Sequence, residues 1–166
     1  MAARTQSSGK DRHVQLTLGV LKQFRLIFGS VRQHFRQVEE TCGVSGSQLW
    51  VLREVGAAPG IGVSVLAGKL SIHQSTCSQL VESLVTRGLV NKARLGDDQR
   101  RVGLTLTKAG TKILASAPGP AEGLLPTALA ELSNQSLVTL SAHLDELIAE
   151  LRPKDQLHAG RPLADL

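Results

Sequence analysis

Apolar positions recur at steps of three and four along the first quarter of the chain. From His13 to about Cys42, Val20, Leu21, Phe24, Ile27, Phe28, Val31, Phe35 and Val38 keep this spacing. The pattern predicts an amphipathic helix of about seven to eight turns. The polar residues 1–12, with Ser7-Ser8-Gly9 in their middle, are expected as a mobile tail. Cys42-Gly43 closes the helix, with the glycine as its C-cap. Ser45 then offers an N-cap for a second helix, about Gly46 to Val55, with Leu49, Trp50, Leu52 and Val55 as its apolar set. The stretch from Gly56 to Gly60, which contains Pro59, breaks the pattern.

Two short helical segments follow, from about Val63 to Leu70 and from about Gln74 to Arg87, separated only by Ser71-Ile72-His73. After Gly88 the period shortens. Leu89 to Leu95 and Arg100 to Thr107 read as strands, and Val102, Leu104 and Leu106 alternate with more polar neighbours. Gly96-Asp97-Asp98-Gln99 makes the turn between them. Residues 107–110 open a further helix, which Pro118-Gly119-Pro120 interrupts. A last helix, about Ser133 to Leu151, presents Leu137, Leu140, Leu144, Leu147, Ile148 and Leu151, and Pro153 ends it. The expected fold class is mainly α with a small β-hairpin wing (α+β). A winged helix-turn-helix lobe over 45–118 is flanked by dimerisation helices at 13–42 and 121–152, and a loose tail covers 153–166.

Composition narrows the class. The chain has 166 residues, 42% hydrophobic and 20% charged, which excludes a disordered chain and is one domain's worth of sequence. Three Phe, one Trp and no Tyr leave a core of Leu, Val, Ile and Ala. No apolar run reaches the roughly 18 residues a membrane span needs, and the polar N-terminus lacks a secretory h-region. Two cysteines, Cys42 and Cys77, are too few for a disulfide framework, so a reduced, cytoplasmic protein is expected.

Charge adds direction. The net charge is +5, and the sequence pI is about 9.7. Gly62 to Lys112 holds eight Lys/Arg against three acids, whereas residues 113–166 hold three against seven. A basic middle points to a polyanion partner such as nucleic acid, although an ordinary solvated surface carries charge too. On the second short helix, Cys77, Leu80, Val81 and Leu84 fall on one side at 100° per residue, while Ser75, Ser78, Gln79, Glu82 and Thr86 fall on the other. A polar face with short side chains suits a major groove, where Ser, Thr and Gln reach base edges. Arg94 precedes the hairpin tip, and Arg100 and Arg101 follow it. An arginine there can enter a minor groove, and Asp98 can hold its guanidinium in a fixed orientation.

From about Gly43 to Gly110 these residues resemble the MarR (multiple antibiotic resistance regulator) family of bacterial transcription factors. The resemblance is carried by Leu66-Ala67-Gly68-Lys69-Leu70, by the run from Gln74 to Val81, and by Arg87-Gly88-Leu89-Val90. The wing run Asp98-Gln99-Arg100-Arg101-Val102 and Leu106-Thr107-Lys108-Ala109-Gly110 complete it. The resemblance implies a homodimer held by the first and last helices, acting on double-stranded DNA at a near-palindromic operator. It implies repression of nearby genes, relieved by a small aromatic effector or by oxidation. The DNA-reading residues would be Gln74, Ser75, Thr76, Ser78, Gln79 and Glu82 on the helix, and Arg94, Asp98, Arg100 and Arg101 on the wing. Phe24, Phe28, His34, Trp50 and Arg53 are the candidates by position for an effector pocket. The chain departs from the family at His73, where a serine N-cap is usual, and at Gln74, where proline is common. Weaker capping follows.

Other chemistries fare worse. No Gly-x-Ser-x-Gly occurs, and Gly60-Ile61-Gly62 fails as a dinucleotide loop because Val65 stands at the third glycine's place. His73 and Cys77, four apart, are too few for a closed metal site. No enzyme activity, cofactor or metal is therefore expected. Two further readings stay open: redox sensing through Cys42 or Cys77, and a protein–protein adaptor on a winged-helix scaffold.

Overall fold

The computed structural model describes residues 3–94, 102–151 and 157–165. Helix α1 runs Ala3–Cys42, so residues 3–12 continue the helix rather than form the expected tail. Gly43, at φ +64°, ends it by donating its amide to the Glu39 carbonyl. Helix α2 spans Gly46–Ala57 and starts on a reciprocal cap: the Ser45 hydroxyl accepts from the Gln48 amide, and the Gln48 side chain accepts from the Ser45 amide. This pairing satisfies two amides that a helix start leaves orphaned.

Helix α2 is the centre of the lobe. Leu49, Val51, Leu52 and Val55 are fully buried, so it is covered on more than one side. Helix α3 (Val63–Leu70), α4 (Gln74–Thr86) and α5 (Lys108–Ala115) pack around it, together with strand β2 (Val102–Leu106). Leu66, Leu70, Cys77, Val81, Leu84 and Leu104 fill the space between. Burying side chains of this size contributes roughly 1.5–3 kcal/mol each as an upper figure.

Strand β1 (Val90–Arg94) pairs antiparallel with β2, with Val90 opposite Leu106 and Arg94 opposite Val102. Ile61 adds a single bridge to β2, since its carbonyl accepts from the Leu104 amide at 3.0 Å and the Gly60 amide donates to the Leu104 carbonyl at 2.7 Å. The stretch read only as a chain break thus also anchors the hairpin. The fold class is as expected, mainly helical with a two-stranded wing on a helix-turn-helix.

The junction behind the wing has a tight geometry. The Thr107 hydroxyl donates to the Gly88 carbonyl at 2.8 Å and accepts from the Gly110 amide at 3.0 Å, which caps α5 and ties it to the end of α4. Gly110 is a glycine because a Cβ there would run into the Leu89 carbonyl oxygen. This is the physical content of the Leu-Thr-x-x-Gly run.

Beyond Ala115 the chain differs from expectation in two places. Gly119 (φ +120°) breaks the chain as the Pro-Gly-Pro signal implied, but a separate short helix α6, Leu124–Ala130, follows it. Helix α7 then runs Asn134–Leu151. Past it, residues 157–165 are not a loose tail. They form two 3-10 turns, Leu157–Gly160 and Leu163–Asp165, and pack back on the lobe with Gly160 and Pro162 buried. No helix of the described residues is long and apolar enough to cross a membrane.

Two substitutions test this account by urea denaturation. Gly110→Ala should lose about 2–3 kcal/mol, because the methyl meets backbone rather than a movable side chain. Ser71 sits at φ 53° as the left-handed cap of α3. Ser71→Gly should gain about 0.5–1 kcal/mol, the left-handed penalty less glycine's extra freedom when unfolded.

Candidate nucleic-acid interface

Helix α4 is held from below by Cys77, Val81 and Leu84, all fully buried, and this fixes which face looks outward. Gln74, Ser75, Ser78, Gln79, Glu82 and Thr86 are exposed, and Thr76 is half-buried. The Ser78 hydroxyl donates to the Gln74 carbonyl at 2.9 Å, so it is already occupied within the helix. Gln79 has no hydrogen-bond partner among the described residues, which leaves its amide for a ligand. His73 occupies the N-cap position with no side-chain cap bond, as the departure from serine implied.

Glu82 is an acid on a face expected to meet phosphate. The structure supplies the reason it is tolerable: Lys92 on β1 forms an ion pair with it. The carboxylate is locally neutralised, and the ion pair links the wing strand to α4. Arg94 ends β1 opposite Val102. Asp98, Arg100 and Arg101 lie outside the described residues.

Arg87, counted in the basic block, has a structural task instead. Its guanidinium donates to Gln48 Oε1 at 2.9 Å and to the Gly43 carbonyl at 2.6 Å, and Gln48 Nε2 donates to Ser83 Oγ at 3.0 Å. These bonds join the C-terminal end of α4 to the start of α2. Lys69 likewise pairs with the buried Glu54 at 3.2 Å. Spacing alone gave no sign of these partners, because each lies more than ten residues away in sequence.

The proposed pocket residues do not converge. Phe24 and Phe28 stack on α1 with centroids 6.1 Å apart, and Phe28 is 61% exposed. His34 is buried, with Nε2 at 3.2 Å from the Pro120 carbonyl. Arg53 is engaged by Glu54 at 2.9 Å and Glu122 at 3.2 Å. Trp50 does line a cavity of about 170 Å³, beside Phe35, Ile72, Leu125 and the C-terminal residues 161–164. Phe35 is the aromatic that the sequence reading left out of the pocket.

Both cysteines are buried and unpaired. Burial pushes the Cys77 thiol from 9.0 up to about 11, and its Sγ lies 3.7 Å from the Val63 carbonyl. A thiol in this state is a poor nucleophile at neutral pH. No group of three metal-binding side chains occurs among the described residues.

The folded chain holds the Cys77 proton more tightly than the unfolded one does. Stability from this group is therefore complete below pH 9 and falls as pH rises toward 11. Urea stability should show this alkaline decline in the parent and a shallower one in Cys77→Ala. Equal slopes would remove the thiol from the account.

Similarity to known proteins supports the same geometry. Residues 43–101 match the MarR family model. A protein of Thauera aromatica, named as a transcriptional regulatory protein for the hcr operon, is 30% identical over 84 residues. The match takes in 51% of each chain, so this chain spans about half the length of the curated relative it matches. Among solved structures, a Staphylococcus aureus MepR–DNA complex aligns with TM-score 0.54 at 20% identity, over 78% of this chain and 94% of that one. MepR alone, a transcription regulator of the S. aureus multidrug efflux pump MepA, aligns with TM-score 0.51 at 22% identity, over 78% and 96%. At these identities the structures speak for the fold alone, and the matched segment shows that the winged helix-turn-helix lobe of this chain is similar to the MarR family.

Proposed function

We propose that this chain is a transcriptional regulator, a repressor, that binds double-stranded DNA as a homodimer in the cytoplasm and is released by a small aromatic ligand. The observation that carries the DNA reading is the outward face of α4. It offers Gln74, Ser75 and an uncommitted Gln79 to solvent, and its one acid is neutralised from the wing. In this reading α4 enters a major groove and the wing arginines reach the adjacent minor groove. The family match over the same residues and the DNA complex of MepR support it.

The dimer reading rests on unpartnered surface. Val14, Leu18, Leu21 and Phe28 on α1, and Leu140, Leu147, Ile148 and Leu151 on α7, are each at least 37% exposed. Two long helices with bare apolar stripes have a strong drive to associate. Their charges are complementary as well. Helix α7 carries Asp145, Glu146 and Glu150 and no Lys or Arg, whereas the described side chains of α1 include Lys22, Arg25, Arg32 and Arg36. Pairing α1 of one copy with α7 of the other covers both stripes and sets opposite charges side by side.

Light scattering should give a dimer at micromolar concentration, and a monomer there would sink the two-fold reading. On DNA, Gln79→Ala should reduce discrimination among operator variants by on the order of 1–3 kcal/mol while leaving affinity for random DNA nearly unchanged. Equal losses on both would mean Gln79 does not read bases.

The wing has a sharper test. Arg100→Ala should weaken binding and flatten the salt dependence by about one ion's worth. Asp98→Ala should also weaken it, despite removing an acid, if Asp98 orients the arginine. Tighter binding by Asp98→Ala would show that the pair has no orienting role. A rise in thermal stability with aromatic carboxylates is the expected effector signature.

A further inference from the structure

The C-terminal segment, residues 157–165, seats itself where the dimerisation arm, α2 and the helix-turn-helix meet. Three observations fix its position. Gly160 accepts, through its carbonyl, the amide of His73 at 3.1 Å, and His73 is the residue from which α4 starts. The His73 imidazole packs against Gly160 so closely that a Cβ there would force the ring or the segment to move. Further along, Ala164 lies over Gly46, the first residue of α2, sharing with the Phe35 ring the space that a Cβ on Gly46 would take. The segment therefore touches the starts of two helices at once.

It also closes a cavity. Residues 161–164 form one wall of the space beside Trp50, with Phe35, Ile72, Leu125 and Glu122 on the others. The room left is about 170 Å³. Ligand pockets for drug-sized molecules are roughly 300–1,000 Å³, so with the segment seated only a small ring fits. Anything larger has to displace residues 161–164. Among the described residues the His73 amide donates to the Gly160 carbonyl alone, so the segment supplies its acceptor.

We propose that residues 157–165 are an intramolecular latch: they occupy the groove beside Trp50 and set the start of α4, and a groove ligand competes with them. Displacement would free the His73 amide and loosen the first turn of the reading helix, where Gln74 and Ser75 stand. The consequence for DNA rests on the function proposed above, whereas the latch itself does not.

Trp50 is the chain's one tryptophan, so its fluorescence reports on this groove directly. In the full chain, Gly160→Ala should about double the acrylamide quenching constant of Trp50 and speed amide exchange at His73 by about ten-fold, with the helical circular dichroism unchanged. Adding His73→Gly, which removes the ring that the new methyl meets, should restore Trp50 protection. Quenching and His73 exchange equal to the parent in Gly160→Ala would overturn the latch. So would a double variant no better protected than the single one. Neither readout involves DNA, so failure here is distinct from failure of the DNA reading. On DNA, Gly160→Ala should reduce discrimination among operator variants by about three- to ten-fold, with affinity for mixed-sequence DNA nearly unchanged. Unchanged discrimination alongside raised quenching would overturn the coupling between groove and reading helix.

Discussion

A short helix with apolar residues on several sides cannot lie on a surface, and α2 is such a helix. Leu49, Val51, Leu52 and Val55 all have to leave water together, so neighbours must surround them. Helices α3, α4 and α5 and strand β2 supply that cover. The orientation of α4 follows from this requirement. Its buried side is set by the need to close over α2, and the polar side is left pointing away. The polar outward face of α4 is thus the one the core does not use.

Much of this was legible in the sequence, for a physical reason. Helix α4 shows its two faces in the 100° rule because its contacts are regular, and Cys77, Val81 and Leu84 are buried as their spacing implies. Ser45 and Gly43 mark helix ends because capping is local chemistry. What was not legible depends on long-range partners. The Ile61 bridge, the Arg87 bonds to Gln48 and Gly43, and the docking of residues 157–165 each join segments far apart in sequence. Residues 3–12 were read as a tail because polar composition carries no core-facing signal, yet a helix can propagate through polar residues once it has been nucleated.

The site was readable where it is a surface and obscure where it is a cavity. A polar helical face has a period, so Gln74, Ser75, Ser78 and Gln79 could be picked out by position and are indeed exposed. A cavity has none. Phe24, Phe28, His34, Trp50 and Arg53 share only the broad property of lying on α1 or α2; of these, Trp50 lines the cavity beside Phe35, and Phe28 lines a separate groove that Phe35 also borders. Arg53 shows why: a charge that looks free in a sequence is committed to Glu54 and Glu122 once the chain folds.

The ion pair between Glu82 and Lys92 has an evolutionary side. One partner lies on α4 and the other on β1, the first strand of the wing. Replacing Glu82 with a neutral residue would leave Lys92 as a new unpaired cation at the same surface, and replacing Lys92 would leave a bare carboxylate there. Neither position can drift alone without altering the electrostatic field of the whole face. Related chains that change the charge at position 82 should therefore carry a matching change at position 92.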